Sequence, residues 1–154
     1  MLAVSRLDVI GERDGWRCWL CDEQVDPAMS VNDPRGPSID TRITDRRAKK
    51  NKGKPEAPDR LAHRGCNTGK GSVKPVVEWA GHLFVVDPAV ILTSVERLQR
   101  KGGREVMARC PGRDDAEAAA DWLVDRISRL EPDLSVSAEI ESGGGQYLLI
   151  LRAV

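Results

Sequence analysis

Two short segments hold the residues best suited to chemistry. In W-R-C-W-L-C, Cys18 and Cys21 are separated by two residues, and in L-A-H-R-G-C-N the same spacing separates His63 from Cys66. Each pair has the bite of a zinc knuckle, in which a tight turn points two ligands at one ion. Combined, they make a Cys₃His set, enough to close a tetrahedral structural zinc site with no open position. Two other readings compete: the pairs are unrelated, or Cys18 and Cys21 form a redox couple. Against the couple, no βαβ pattern surrounds it, and Trp19 and Leu20 fill the space between the thiols. Cys110 falls in an apparent strand and reads as a reduced, partly buried thiol with no role. Four cysteines with no secretory leader favour metal over disulfides.

The 154 residues suffice for one domain or two small ones. Aromatic residues make up only 4%, so the core must be built from Val, Leu, Ile and Ala. A structural zinc, with on the order of 10 kcal/mol of binding free energy, would staple the aromatic-poor first half. No segment approaches the roughly 18 apolar residues of a membrane span, so a cytoplasmic protein without a membrane role is expected. The net charge of zero conceals a pattern. Residues 1–34 carry three basic and seven acidic side chains, residues 35–74 twelve and four, and residues 75–154 nine and thirteen. A basic block is flanked by acidic segments.

The elements that must position these residues follow from periodicity and turn chemistry. Ser5, with Asp8 three residues on, caps a first helix that Asp14-Gly15 stops. Residues 22–37 are turn-rich, and 38–44 alternate as a short strand. Residues 45–60 read as a mobile basic loop. A short helix is expected from about Asn67, interrupted at Pro75. Beyond it come a strand at 83–86, a helix opened by Asp87-Pro88 and ended at Gly102-Gly103, and a strand at 104–110. An amphipathic helix at 114–130 precedes strands at 134–140 and 147–152, joined at S-G-G-G. The expected class is α+β, with a zinc-binding module at 1–80 and a small β-α-β-α-β-β domain at 81–154.

Residues 12–72 resemble the zinc-containing branch of the HNH nuclease family. "ERDGWRCWLC", "PSID" and "LAHRGCNTGKG" fit, in order, that family's helix and first knuckle, its Asp-His strand, and its second knuckle followed by His or Asn. The resemblance implies a ββα-metal fold holding a catalytic divalent cation, such as Mg²⁺, apart from the structural zinc. Carried over, Asp40 and Asn67 match catalytic-metal ligands, but the general-base histidine is replaced by Thr41. A threonine hydroxyl cannot take a proton near neutral pH. The Asn that orients the base in the family is also missing from "EAPDRLAH". As bare residues, Asp40 and Asn67 read equally well as a strand-surface carboxylate and a helix cap.

Three functions follow. In the first, the chain binds nucleic acid, DNA rather than RNA, on a scaffold that has lost cleavage. Arg46, Arg47, Lys49, Lys50, Lys52 and Lys54, joined by Arg60, Arg64 and Lys70, would contact phosphates. In the second, it is an active metal-dependent endonuclease using another base, such as His82 or a carboxylate. In the third, it is a zinc-stabilised adaptor whose second domain binds a protein partner, the strand "QYLLILRAV" being apolar enough on both sides to be buried or to pair with another chain.

Overall fold

Ser5 caps the first helix, α1 (Arg6–Arg13), in the computed structural model, which describes residues 5–30, 32–41, 59–71 and 75–154. The Ser5 hydroxyl accepts from the Asp8 amide at 3.1 Å, and the Asp8 carboxylate accepts from the Ser5 amide at 3.3 Å. This reciprocal box satisfies two backbone donors that the first turn would leave bare. Ile10 and Gly11 face inward. Gly11 is required by a close approach: a Cβ there would lie 2.5 Å from the Trp16 ring.

The chain divides into two compact units, Met1–Pro75 and Val76–Val154, and both mix helix with strand. In the first unit β1 (Pro37–Asp40) pairs antiparallel with β2 (Arg60–His63), with Pro37 opposite His63 and Asp40 opposite Arg60. The next helix, α2 (Arg64–Lys70), starts where β2 ends and packs on both strands, as does α1. Three expectations change here. The strand expected over 38–44 is seen as 37–40, and residues 42–44 lie outside the described residues. Arg60 begins a strand instead of ending a loop. The short helix starts at Arg64, three residues before Asn67, and ends at Lys70.

The second unit contains α3 (Ile91–Lys101), β3 (Arg104–Cys110), α4 (Arg113–Leu130), β4 (Val136–Gly143) and β5 (Gln146–Ala153). Its three strands are all antiparallel, in the order β3-β5-β4. Gly144 and Gly145, both with positive φ, form the two-residue turn between β4 and β5. Only a backbone that tolerates positive φ twice can make that tight hairpin. Leu149 and Leu151 of β5 are fully buried, as are Ile91 of α3 and Leu123 and Ile127 of α4, and both helices pack on β5.

The apolar run 83–86 is not a strand. Val86 makes a single bridge to Arg109, and Ala89 donates to the Met107 carbonyl at 2.7 Å, so this segment covers the outer edge of β3. Asp87 holds a φ of 50°. The following helix therefore starts only at Ile91, after Val90, without Asp87 or Pro88 in its first turn. Residues 76–80, placed with the first module on sequence, belong to the second unit, where Trp79 stacks on Trp122 at 5.8 Å between ring centres. Strand β5 is the centre of its sheet with Leu149, Ile150 and Leu151 buried, so of the two alternatives for this strand it is the buried one.

Asp14, at the end of α1, joins that helix to β2. Its carboxylate accepts from the Leu61 amide at 2.7 Å and from Arg13 Nε at 2.9 Å, and it lies 3.4 Å from the Arg60 guanidinium. Asp14 and Arg60 are both buried. Taking one member from a buried ion pair costs about 3 kcal/mol or more, since the remaining charge stays in low dielectric. Asp14→Ala is thus expected to speed hydrogen exchange at the Leu61 amide by roughly 100-fold. Ser5→Ala, which removes an exposed cap, should cost only about 1 kcal/mol. Equal exchange at Leu61 in the Asp14 variant and the parent would show that the clamp contributes nothing.

Candidate metal centre

The first knuckle is shaped by two residues at positive φ, Trp16 and Asp22. Between them the chain folds back, with Cys18 N–H donating to the Glu23 carbonyl and Asp22 N–H to the Cys18 carbonyl, both at 2.9 Å. A bridge between Arg17 and Gln24 closes the loop. Trp19, between the two cysteines, is buried, and its amide donates to the Leu61 carbonyl at 3.0 Å. The knuckle is therefore pinned to β2, the strand that ends in the second pair of ligands.

That second pair sits at the β2–α2 junction. His63 is both the last residue of β2 and the N-cap position of α2, and Cys66 lies in the first turn of that helix. Gly65 lets the turn press on the preceding loop: its amide donates to the Pro34 carbonyl at 2.7 Å, and a Cβ would meet Pro34 at 3.1 Å.

The ligand atoms of Cys18, Cys21, His63 and Cys66 all lie within 4.8 Å of one another. His63 Nδ1 is 3.2 Å from Cys21 Sγ and 3.9 Å from Cys66 Sγ. A tetrahedral zinc with Zn–S of about 2.3 Å and Zn–N of about 2.0 Å needs an N···S separation of roughly 3.5 Å. The two distances bracket that value. The other imidazole nitrogen, Nε2, lies 2.9 Å from the Gln24 carbonyl. A carbonyl can only accept, so Nε2 carries the proton and Nδ1 presents its lone pair to the cluster. The His63 amide also donates to Cys18 Sγ at 3.4 Å.

The electrostatics of the cluster favour a cation. Burial pushes the Cys66 thiol up to about 12, with the neighbouring Cys18 and Cys21 sulfurs adding to the rise. Burial likewise raises Cys21, against the lowering effect of the Glu23 backbone. Three sulfurs this close cannot all ionise alone. A divalent cation among them removes the repulsion and turns each thiolate into a ligand. The four side chains thus fit a metal ion and are compatible with zinc.

The residues matched to a second, catalytic cation are arranged differently. Asp40 is buried, and its two oxygens face different partners: Oδ2 accepts from the Trp19 indole at 3.0 Å, and Oδ1 is 3.4 Å from Lys70 Nζ. Asn67 turns its amide nitrogen to β1, donating to Ser38 Oγ at 2.9 Å and to the Ile39 carbonyl at 3.3 Å. Thr41 is exposed just past the end of β1. An ammonium faces Asp40 Oδ1, so a cation at that oxygen would have to displace Lys70. Asp40 is not a strand-surface residue, and Asn67 is not a helix cap.

The expected phosphate contacts also divide. Arg46, Arg47, Lys49, Lys50, Lys52 and Lys54 lie outside the described residues. Arg60, Arg64 and Lys70 are described, and each is turned to a protein acceptor. The Arg60 side chain is 0% exposed and faces Asp14. Arg64 donates to the Pro37 carbonyl at 3.1 Å. The Lys70 side chain is 7% exposed and faces Asp40. Arg60 and Lys70 are corrected from surface cations to internal ones, because each meets a buried carboxylate on a facing element. His82 lies in the second unit and is exposed. Spacing alone did not reveal Trp19 and Lys70 as partners of Asp40. The available signal was a tryptophan between two cysteines in a chain with four tryptophans in all.

No known family, curated protein or solved structure matches the chain. Among the described residues, no helix is long and apolar enough to cross a membrane.

The chemistry of the cluster sets the pH dependence of metal binding. At neutral pH the raised Cys21 and Cys66 thiols hold their protons until a metal displaces them. Zn²⁺ titrated into the reduced chain is expected to bind as one ion and to release about two or more protons. Its affinity should therefore rise with pH through the neutral range. Calorimetry in two buffers of different ionisation heat measures the release directly. Cys18→Ser, Cys21→Ser and Cys66→Ser should each remove most of the binding. Zinc uptake without proton release would contradict the thiol assignment.

Proposed function

We propose that the chain is a nucleic-acid-binding protein built on a zinc-stabilised, HNH-nuclease-like scaffold that has lost cleavage. In this reading Cys18, Cys21, His63 and Cys66 hold a structural Zn²⁺. Two antiparallel strands followed at once by a helix stand in the order that the resemblance implies. Cleavage is absent because Thr41 occupies the position of the general base, and a threonine hydroxyl cannot activate water. Nothing in the described geometry of Asp40 compensates for that loss.

One observation carries the binding part. The connection between β1 and β2 contains six Lys and Arg residues between positions 46 and 54. That connection starts one residue beyond Asp40 and ends at the strand leading to His63 and Cys66. A basic run in the connection between the two strands of the unit that carries the candidate metal centre supplies the phosphate-neutralising charge that sequence-independent binding needs. With Arg60 and Lys70 internal, the six residues of this run carry the interaction. The pairing of β5 inside its sheet removes the feature that favoured a protein adaptor.

An electrophoretic shift with duplex DNA and with RNA, repeated across a salt series, tests this function. Binding is expected for DNA ahead of RNA. Neutralising Lys49, Lys50, Lys52 and Lys54 together should weaken it and flatten the plot of log affinity against log salt by roughly 0.9 for each phosphate no longer neutralised. Plasmid DNA should remain intact with Mg²⁺ or Mn²⁺. Unchanged affinity and slope in the lysine variant would refute the binding role. Metal-dependent nicking that Asp40→Ala abolishes would refute the loss of cleavage.

A further inference from the structure

The sheet of the second unit has two edges of different kinds. Along β3 the edge is covered, since Val86 bridges Arg109 and Ala89 donates to Met107. Strand β4 has no partner strand on its outer side among the described residues. Exposed edges are ordinarily blunted by a proline, a bulge, a lysine or a covering segment. In β4, V-S-A-E-I-E-S-G, there is no proline and no lysine, and the strand pairs with β5 along its whole length without a register shift. The hairpin fixes which backbone groups point outward. A two-residue turn with both glycines at positive φ closes on a hydrogen-bonded pair, Gly143 and Gln146, and every second pair below it bonds in the same way. The Ser135 carbonyl, which accepts from the Val154 amide at 3.0 Å, keeps that alternation. Ser137, Glu139 and Glu141 therefore bond to β5. Val136, Ala138, Ile140 and Ser142 turn their N–H and C=O groups outward.

We propose that this edge pairs with the β4 edge of a second copy of the chain, antiparallel about a two-fold axis at Ala138. The stretch S-V-S-A-E-I-E, residues 135–141, is complementary to itself in that register. Ser135 faces Glu141, Ser137 faces Glu139, Val136 faces Ile140, and Ala138 faces Ala138, and directly opposed side chains lie on the same face of a sheet. Each carboxylate thus meets a hydroxyl donor, and the two-fold axis makes every such contact twice. Ser135, Ser137 and Glu141 are exposed. Neighbouring registers set acid against acid. An axis at Glu139 opposes Glu139 to itself, one at Ser137 opposes Glu141 to Asp133, and one at Ile140 opposes Glu139 to Glu141. Both carboxylates are also balanced within each copy, with Arg152 at 2.8 Å from Glu139 and Arg104 at 3.8 Å from Glu141. Ala138 and Ile140, which share a face with the buried Leu151 and Leu149, gain cover from their counterparts. Two three-stranded sheets become one continuous antiparallel sheet. A single strand seam is smaller than the standard interface of roughly 1,600 Å², so the association is reversible and set by concentration. It belongs to the second unit and does not depend on nucleic-acid binding.

Sedimentation of the full chain, zinc-loaded and reduced, from about 10 μM to about 1 mM should show a monomer–dimer equilibrium. Ala138→Pro removes an outward N–H and no bond between β4 and β5, and it should weaken dimerisation at least about tenfold. Ser137→Glu sets a second carboxylate opposite Glu139 at two symmetric places in the seam, and it should weaken dimerisation by about tenfold as well. Ser137→Glu changes only an exposed side chain, so it decides the matter should the proline variant fail to fold. Amide exchange locates the contact. At high concentration the Val136, Ala138 and Ile140 amides should exchange at least about tenfold more slowly than at low concentration, whereas those of Glu139 and Glu141 are protected at both. A chain that stays monomeric throughout that range would overturn the proposal. So would a dimer that either folded variant leaves unchanged, or one in which the three outward amides exchange at the monomer rate.

Discussion

The first unit depends on four ligand atoms, supplied by segments 42 residues apart, meeting within 4.8 Å. Each pair is a local product, a knuckle turned by Trp16 and Asp22 on one side and a strand-to-helix junction on the other. Their meeting is not local. It requires β2 to lie against the knuckle, and two separate bonds to Leu61 hold it there. The Leu61 carbonyl accepts from Trp19, and the Leu61 amide donates to Asp14. A strand of four residues has too few ladder bonds to hold its own position. Its register is set by these flanking bonds and by the cluster that it completes.

The charge pattern acquires a different meaning once the side chains are placed. The central block has twelve basic and four acidic residues, and as a sequence feature it invites a wholly solvent-facing interpretation. Yet Arg60 and Lys70 are spent on Asp14 and Asp40, two acids that the same unit buries. Buried pairs of this kind contribute little net stability over apolar residues of the same volume, and breaking them is costly. What they supply here is direction. Asp14 accepts one way from α1 and the other way from β2, and Asp40 holds the knuckle with one oxygen while facing α2 with the other. A unit with so few aromatic residues fixes its elements through directed polar contacts where a larger core would use shape.

Much of the fold is legible in the sequence wherever a single residue type has a single physical use. Ser5 with Asp8 gives the helix start, because only a short hydroxyl and a carboxylate at that spacing can exchange the two cap bonds. Gly144-Gly145 gives the hairpin, and the spacing of Ala119, Leu123 and Ile127 gives α4. The two pairs of candidate ligands are legible for the same reason. Strand β2 is not. R-L-A-H is too short to show alternation, and its burial comes from both faces being covered. The run at 83–86 misleads in the opposite sense, since apolar residues laid along the edge of β3 look on paper like a strand of their own. The internal position of Arg60 and Lys70 is equally illegible, because charge in a sequence carries no sign of depth. Only the facing carboxylate, far away in the chain, decides whether a cation points out or in.

The two halves of the proposed scaffold also differ in how freely they can change. The four candidate ligands lie close enough to hold one metal ion, and in a closed tetrahedral set the loss of any one would leave the others unbalanced. The seam between β1 and α2 has no such constraint, provided its charge is balanced. Lys70 places a positive charge 3.4 Å from Asp40 across that seam.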